Sequence, residues 1–185
     1  KLLVNHIDIV AAYLNGNLED EVYMVQPKMF EDKNYPNKVC KLNKALYGLK
    51  QAGREWNKKV NDILLEMGFM RCKSDTCVYM KRNGSEVCLI AIYVDDILLA
   101  CSSDIEMKNI ISTLNKYVEA VDRGPISFYL GMEIHRDGLR GDITIHQKKY
   151  TEEILERWGM TECKPAATPW SSGTILKKCK DQCAD

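Results

Sequence analysis

The sequence predicts an α+β fold, and three observations carry that prediction. Of 185 residues, 45% are hydrophobic and 28% are charged, the balance of a globular chain rather than a disordered one. Pairs of apolar runs meet at short polar turns, which is the pattern of β-hairpins. The strands gather between two helical stretches instead of alternating with them, so the order favours α+β over repeated βαβ units.

The elements follow in chain order. Leu2 to Leu14 is apolar and β-branched and stops at the turn signal Asn15-Gly16, so it reads as a strand that breaks near Asp8. Trp56, Val60, Ile63, Leu64 and Met67 share one helical face that Gly68 terminates. Residues 76–81 and 86–93 flank Asn83-Gly84, a strong hairpin signal. A second hairpin joins Val87–Tyr93 to Ile97–Cys101 through Val94-Asp95-Asp96. Ser103 and Glu106 have capping-box spacing and open a helix expected to run through Val118. A strand near Ser127 to His135, a turn at 137–141, a strand at 143–146, a helix near Tyr150 to Trp158 and a Pro/Ser/Gly-rich linker after Cys163 complete the order.

Charge is balanced in total and polarised along the chain. There are 26 basic and 26 acidic residues. Residues 17–32 carry five acids against Lys28, a local −4, and residues 41–59 carry six cations against Glu55, a local +5. A zero total argues only mildly against a nucleic-acid partner when the parts differ this much. The apolar run Val87 to Val94 is eight residues long, too short to cross a bilayer. The eight cysteines include no pair separated by two residues, so they read as reduced thiols in an intracellular protein rather than as zinc ligands. The chain opens on Lys1, which suggests a piece of something longer.

The carboxylates carry the chemistry. Asp95 and Asp96 interrupt an apolar run, and the turn they form offers no glycine for positive φ. A solvated loop tip is the bland alternative. Asp8 is a lone acid within Ile7–Ala12, where a buried carboxylate needs a partner. Three converging carboxylates repel by about 4 kcal/mol per pair at ~4 Å and an effective dielectric of 20. Such a cluster calls for a divalent cation, and oxygen ligands select Mg²⁺ or Mn²⁺. Two ions ~4 Å apart serve in-line phosphoryl transfer, a chemistry shared by polymerases and nucleases.

At these residues a family becomes recognisable. Tyr93-Val94-Asp95-Asp96 between two strands resembles the catalytic hairpin of reverse transcriptases. The segment from Asp8 to Met24 resembles the first catalytic segment of copia-type (Pseudoviridae, Ty1/copia) retrotransposon Pol polyproteins. Residues 45–56, Ala-Leu-Tyr-Gly-Leu-Lys-Gln-Ala-Gly-Arg-Glu-Trp, are similar to the signature that follows in those elements. Residues 129–135, Tyr-Leu-Gly-Met-Glu-Ile-His, resemble their primer-grip hairpin, and Cys163-Lys-Pro with Thr168-Pro169 is similar to the stretch leading toward RNase H.

The resemblance implies a reverse-transcriptase palm, a split βαβ (ferredoxin-like) sheet with helices on one face. It implies residues 1–122 as palm, 123–162 as primer-grip hairpin and start of the thumb or connection, and 163–185 as linker. It implies RNA-directed DNA synthesis with dNTPs on an RNA or DNA template-primer. Asp8, Asp95 and Asp96 match the catalytic triad, with two Mg²⁺ (or Mn²⁺) held there and Ile9 beside Asp8 at the metal. Tyr13 matches the aromatic that excludes a 2′-hydroxyl; Lys50, Gln51, Tyr93 and Val94 match the nucleotide side. Arg54 and the grip residues Tyr129, Leu130, Gly131 and Met132 match the nucleic-acid side. Lys108 and Lys116 are candidates for a general acid. The implied partners are an integrase upstream and RNase H downstream, in the cytoplasm within virus-like particles and in the nucleus. Only seven residues precede Asp8, where the family carries a fingers region, so a palm cut from a polyprotein is expected. A decayed remnant that folds and binds nucleic acid weakly is one rival reading, and a two-metal nuclease is another.

Overall fold

A computed structural model describes residues 2–137, 141–170 and 173–175. The turn expected at 137–141 and the tail after Trp170 therefore lie partly outside the described residues. The order is β1 (Leu3–Ile9), a 3₁₀ turn (Ala12–Asn15), β2 (Tyr23–Val25), β3 (Val39–Lys41), α1 (Ala52–Glu66), β4 (Met70–Arg71), β5 (Val78–Asn83) and β6 (Glu86–Tyr93). It continues with β7 (Asp96–Cys101), α2 (Asp104–Leu114), β8 (Ala120–Pro125), β9 (Phe128–Tyr129), β10 (Met132–Arg136), β11 (Ile143–His146) and α3 (Lys148–Arg157).

Six strands form one antiparallel sheet in the order β4-β5-β6-β7-β1-β8. The strand nearest the N-terminus thus lies inside the sheet, inserted between β7 and β8. Strand alternation sends Ile7, Ile9, Ile90, Ile92, Ile97 and Leu99 to one face. There they join Trp56, Val60, Ile63 and Leu64 of α1 with Met107, Ile110 and Leu114 of α2 in a single core. Both helices therefore cover the same face. Smaller ladders pair β2 with β3 and stack β11-β10-β9. Residues 2–146 form one compact unit; residues from Gln147 onward, including α3, form a second.

Local chemistry explains the boundaries. The Ser103 hydroxyl accepts the Glu106 amide at 3.4 Å and starts α2. That helix ends at Leu114, short of the expected Val118, because Asn115 turns its side chain onto the Ala120 backbone at 2.9 and 3.0 Å. The residues 127–135 expected as one strand are a hairpin, β9 and β10, broken by a left-handed pair at Leu130 (φ 48°) and Gly131 (φ 79°). β8 was not expected at all. It is an edge strand ending in Gly124-Pro125, where a missing N–H costs no ladder bond.

Candidate active site

The site begins with the alternation of β1. Ile7 and Ile9 are buried at 0% and 1% exposure, so His6 and Asp8 emerge on the face away from the helices. Asp8 stands directly opposite Asp96 of β7. The Ile9 amide donates to the Asp95 carbonyl at 2.8 Å, tying the turn to the end of β1. All three acids therefore meet at one rim of the sheet.

The turn itself is strained. Two hairpins share one geometry, with a left-handed residue at the first loop position. Between β5 and β6 that residue is Gly84 (φ 59°); between β6 and β7 it is Val94 (φ 56°). A β-branched residue at positive φ is a true outlier. It is held from beneath by Trp56, whose indole Nε1–H donates to the Val94 carbonyl at 2.6 Å. Trp56 is thus both core and brace.

Each catalytic candidate on the open face has a cationic or hydrogen-bonding partner. An Arg123 guanidinium N–H donates to Asp8 Oδ2 at 2.8 Å. His6 Nε2 lies 2.6 Å from Asp96 Oδ1; a carboxylate only accepts, so that nitrogen carries the proton. Tyr129 sets its ring edge-on to His6, with centroids 6.0 Å apart. Burial, and then the charge of Asp96, push the Tyr129 hydroxyl up to about 12. Tyr129 therefore sits beside the carboxylates, whereas Leu130, Gly131 and Met132 form the turn and start of β10 beyond it.

Tyr13 lies in the 3₁₀ turn and packs on Tyr47, with ring centroids 4.6 Å apart and tilted 45°. Burial and the charge of Asp95 raise the Tyr47 hydroxyl above its usual value. A cleft of about 200 Å³ runs between Tyr13, Gly53, Trp56, Tyr93 and Val94. Gln51 occupies the N-cap position of α1 and is half-buried, with Lys50 exposed before it.

The basic stretch is already engaged. Arg54 donates to Glu55 at 2.8 Å and reaches Asp20 at 3.4 Å; Lys58 reaches Glu19 at 3.1 Å and Glu55 at 3.4 Å. Glu55 is buried at 4% exposure, and the Arg54 hydrogen bond holds its carboxyl below the usual value despite the opposing effect of desolvation. Lys108 pairs with Asp104 at 2.7 Å on α2, on the helical side of the sheet and away from Asp8 and Asp96. Lys116 lies in the turn after that helix.

The donors suit a hard divalent ion, being carboxylate oxygens on adjoining strands. The side chains of Asp8 and Asp96 point to Arg123 and His6, however, and among the described residues no three acidic, His or Cys side chains converge as a ready metal cage. His6, Arg123 and Tyr47 escaped the sequence reading. The i, i+2 spacing of His6 and Asp8 was the available signal for the first, since it places both on one strand face.

The profile of a family described as "Reverse transcriptase (RNA-dependent DNA polymerase)" matches residues 1–172. The chain is 38% identical over 178 residues to the retrovirus-related Pol polyprotein from transposon TNT 1-94 of Nicotiana tabacum, covering 96% of the chain and 13% of that protein. It is 37% identical over 173 residues to the retrovirus-related Pol polyprotein from transposon RE1 of Arabidopsis thaliana, covering 94% of the chain and 12% of that protein. It is 30% identical over 164 residues to the transposon Ty1-DR1 Gag-Pol polyprotein of Saccharomyces cerevisiae, covering 88% of the chain and 9% of that protein. The chain thus spans a small part of each relative, and its match lies in the polymerase family's own profile. With the acids of β1 and the β6–β7 turn meeting at one rim, these matches lead to one conclusion: the chain belongs to the reverse transcriptase (RNA-dependent DNA polymerase) family, in the form carried by Ty1/copia-type Pol polyproteins.

Proposed function

We propose that the chain is the palm of a copia-type RNA-directed DNA polymerase, joining dNTPs to a primer 3′-hydroxyl. The observation that supports it most is the register setting Asp8 opposite Asp96, with Asp95 bound by its backbone to Ile9 at 2.8 Å. In this reading Asp8 and Asp95, with Ile9 beside them, hold two Mg²⁺ (or Mn²⁺), and Asp96 completes the metal-binding rim from a more peripheral place. The ions when bound would lower the pKa of the attacking hydroxyl and offset charge on the triphosphate and its leaving pyrophosphate. Tyr13, backed by Tyr47, closes the sugar side and excludes a 2′-hydroxyl. Gln51, Lys50, Tyr93 and Val94 orient the nucleotide, and Arg54 contacts template phosphate. Tyr129, Leu130, Gly131 and Met132 position the primer end, Gly131 letting the backbone approach the strand.

The remaining assignments follow from the same reading. Residues 1–122 serve as palm, 123–162 as grip and start of the thumb, and 163–185 as a linker. Integrase upstream and RNase H downstream complete the polyprotein, which works in cytoplasmic virus-like particles and the nucleus. Primer extension by the longer Pol protein tests the proposal. Asp95→Asn is expected to lower kcat by at least about a hundredfold, on the scale of losing one electrostatic group at a reacting centre. Equal extension by both proteins would overturn the role of Asp95, and an inactive parent would return the remnant reading.

A further inference from the structure

Asp96 has a partner that the three-carboxylate scheme does not use. His6 lies two residues before Asp8 on the same strand face, and its Nε2–H reaches Asp96 Oδ1 at 2.6 Å. The imidazole is only partly exposed, and the Tyr129 ring meets it edge-on at 6.0 Å between centroids. A hydrogen bond to one carboxylate oxygen fixes the rotation of that group and leaves the other oxygen to point elsewhere. An aromatic edge against the imidazole restricts the donor in turn. The contacts form a chain from the β9–β10 hairpin to the rim of acids.

We propose that His6 is the positioning residue for the Asp96 carboxylate and that Tyr129 seats His6, so that the hairpin and the metal-binding rim are coupled through these contacts. The inference rests on the metal-dependent reading given above. It requires no change in the charge of His6, because a neutral imidazole protonated at Nε2 makes the same bond.

Mn²⁺ binding to the 185-residue chain, read from the free-ion signal in electron paramagnetic resonance, tests it, with circular dichroism melts to confirm folding. His6→Ala is expected to weaken Mn²⁺ binding by about tenfold, the scale for losing a partner of a ligating group. His6→Gln, whose amide still donates, should stay within about threefold of wild type. Should His6→Ala fail to fold, His6→Asn offers a shorter amide that falls short of Oδ1 and should bind as weakly. Tyr129→Ala should weaken binding in the same direction and add nothing to His6→Ala, as expected for residues acting through one contact. Wild-type affinity in His6→Ala, alongside a clear loss in Asp96→Asn, would overturn the role of His6 alone. Additive losses would remove Tyr129 from the chain of contacts. A parent chain binding no more Mn²⁺ than Asp8→Asn would sink the metal reading itself, and this inference with it.

Discussion

Val94 is where the molecule departs furthest from local preference. Its hairpin twin uses Gly84 at the same position, where positive φ carries no steric penalty. Valine there costs about 1–3 kcal/mol, a strain that persists only where surroundings impose it. The surroundings are the Trp56 indole below and the Ile9–Asp95 backbone bond beside it. Trp56→Phe keeps an aromatic in the core but leaves the Val94 carbonyl without its donor. It is expected to cost about 2 kcal/mol in urea unfolding. In the longer polymerase it should also raise the KM for dNTP, whereas Leu64→Ala, a core truncation of about 2–5 kcal/mol, should leave that KM unchanged. Equal KM values for the two variants would make Trp56 a core residue only. The strain was legible in the sequence, since two acids follow a valine at a turn that lacks glycine. His6 and Arg123 were not. Their partners lie 90 and 115 residues away, and only the strand pairing brings them together.

Elements defined by local signals were the readable ones. The apolar stripe of α1, the Ser103 cap of α2 and the β5–β6 hairpin each depend on residues a few positions apart. β8 depends instead on β1, more than a hundred residues earlier, and Ala-Val-Asp-Arg-Gly-Pro has no alternation that announces it. The β9–β10 turn is implied by the resemblance at residues 129–135 but has no local signal of its own, since Leu130 stands where Asn or Asp usually precedes glycine in such a turn. Packing between elements leaves one glycine with a clear purpose. Gly16 has ordinary backbone angles, φ −75° and ψ 130°, yet an added Cβ would lie 3.0 Å from the Trp56 nitrogen and 3.1 Å from the Glu55 carbonyl carbon. Both contacts are backbone, so α1 must shift to admit a methyl group. Gly16→Ala should therefore destabilise the chain by about 1–3 kcal/mol, read as a lower urea midpoint. Because α1 carries Trp56, the β6–β7 turn should loosen too, with faster amide exchange at Ile9, whose N–H donates to the Asp95 carbonyl. A midpoint at or above wild type would show that the helix has room to move.

At the scale of the whole molecule, the opposed charges of the sequence find each other. The acidic stretch 17–32 folds against the basic one, pairing Glu21 with Lys41, Glu19 with Lys58 and Asp20 with Arg54. The +5 segment is therefore partly neutralised from within. Exposed pairs of this kind add little to stability, so removing their acids should leave the fold intact. Glu55 still holds Arg54 at 2.8 Å and Lys58 at 3.4 Å, which keeps both cations in place while their outer partners are gone. In Glu19→Gln/Asp20→Asn the two cations become available to phosphate. Binding to a primer-template duplex, followed by fluorescence anisotropy across a salt series, should tighten at low salt. The slope of log affinity against log salt should steepen by up to about 1.8, since each added phosphate contact contributes about 0.9 on duplex DNA. Such steepening would place the template along the start of α1, beside Lys50 and Gln51. An unchanged slope would mean that the 41–59 charges serve only to dock the acidic segment, and the nucleic-acid surface would have to be sought on the β9–β10 side of the carboxylate rim.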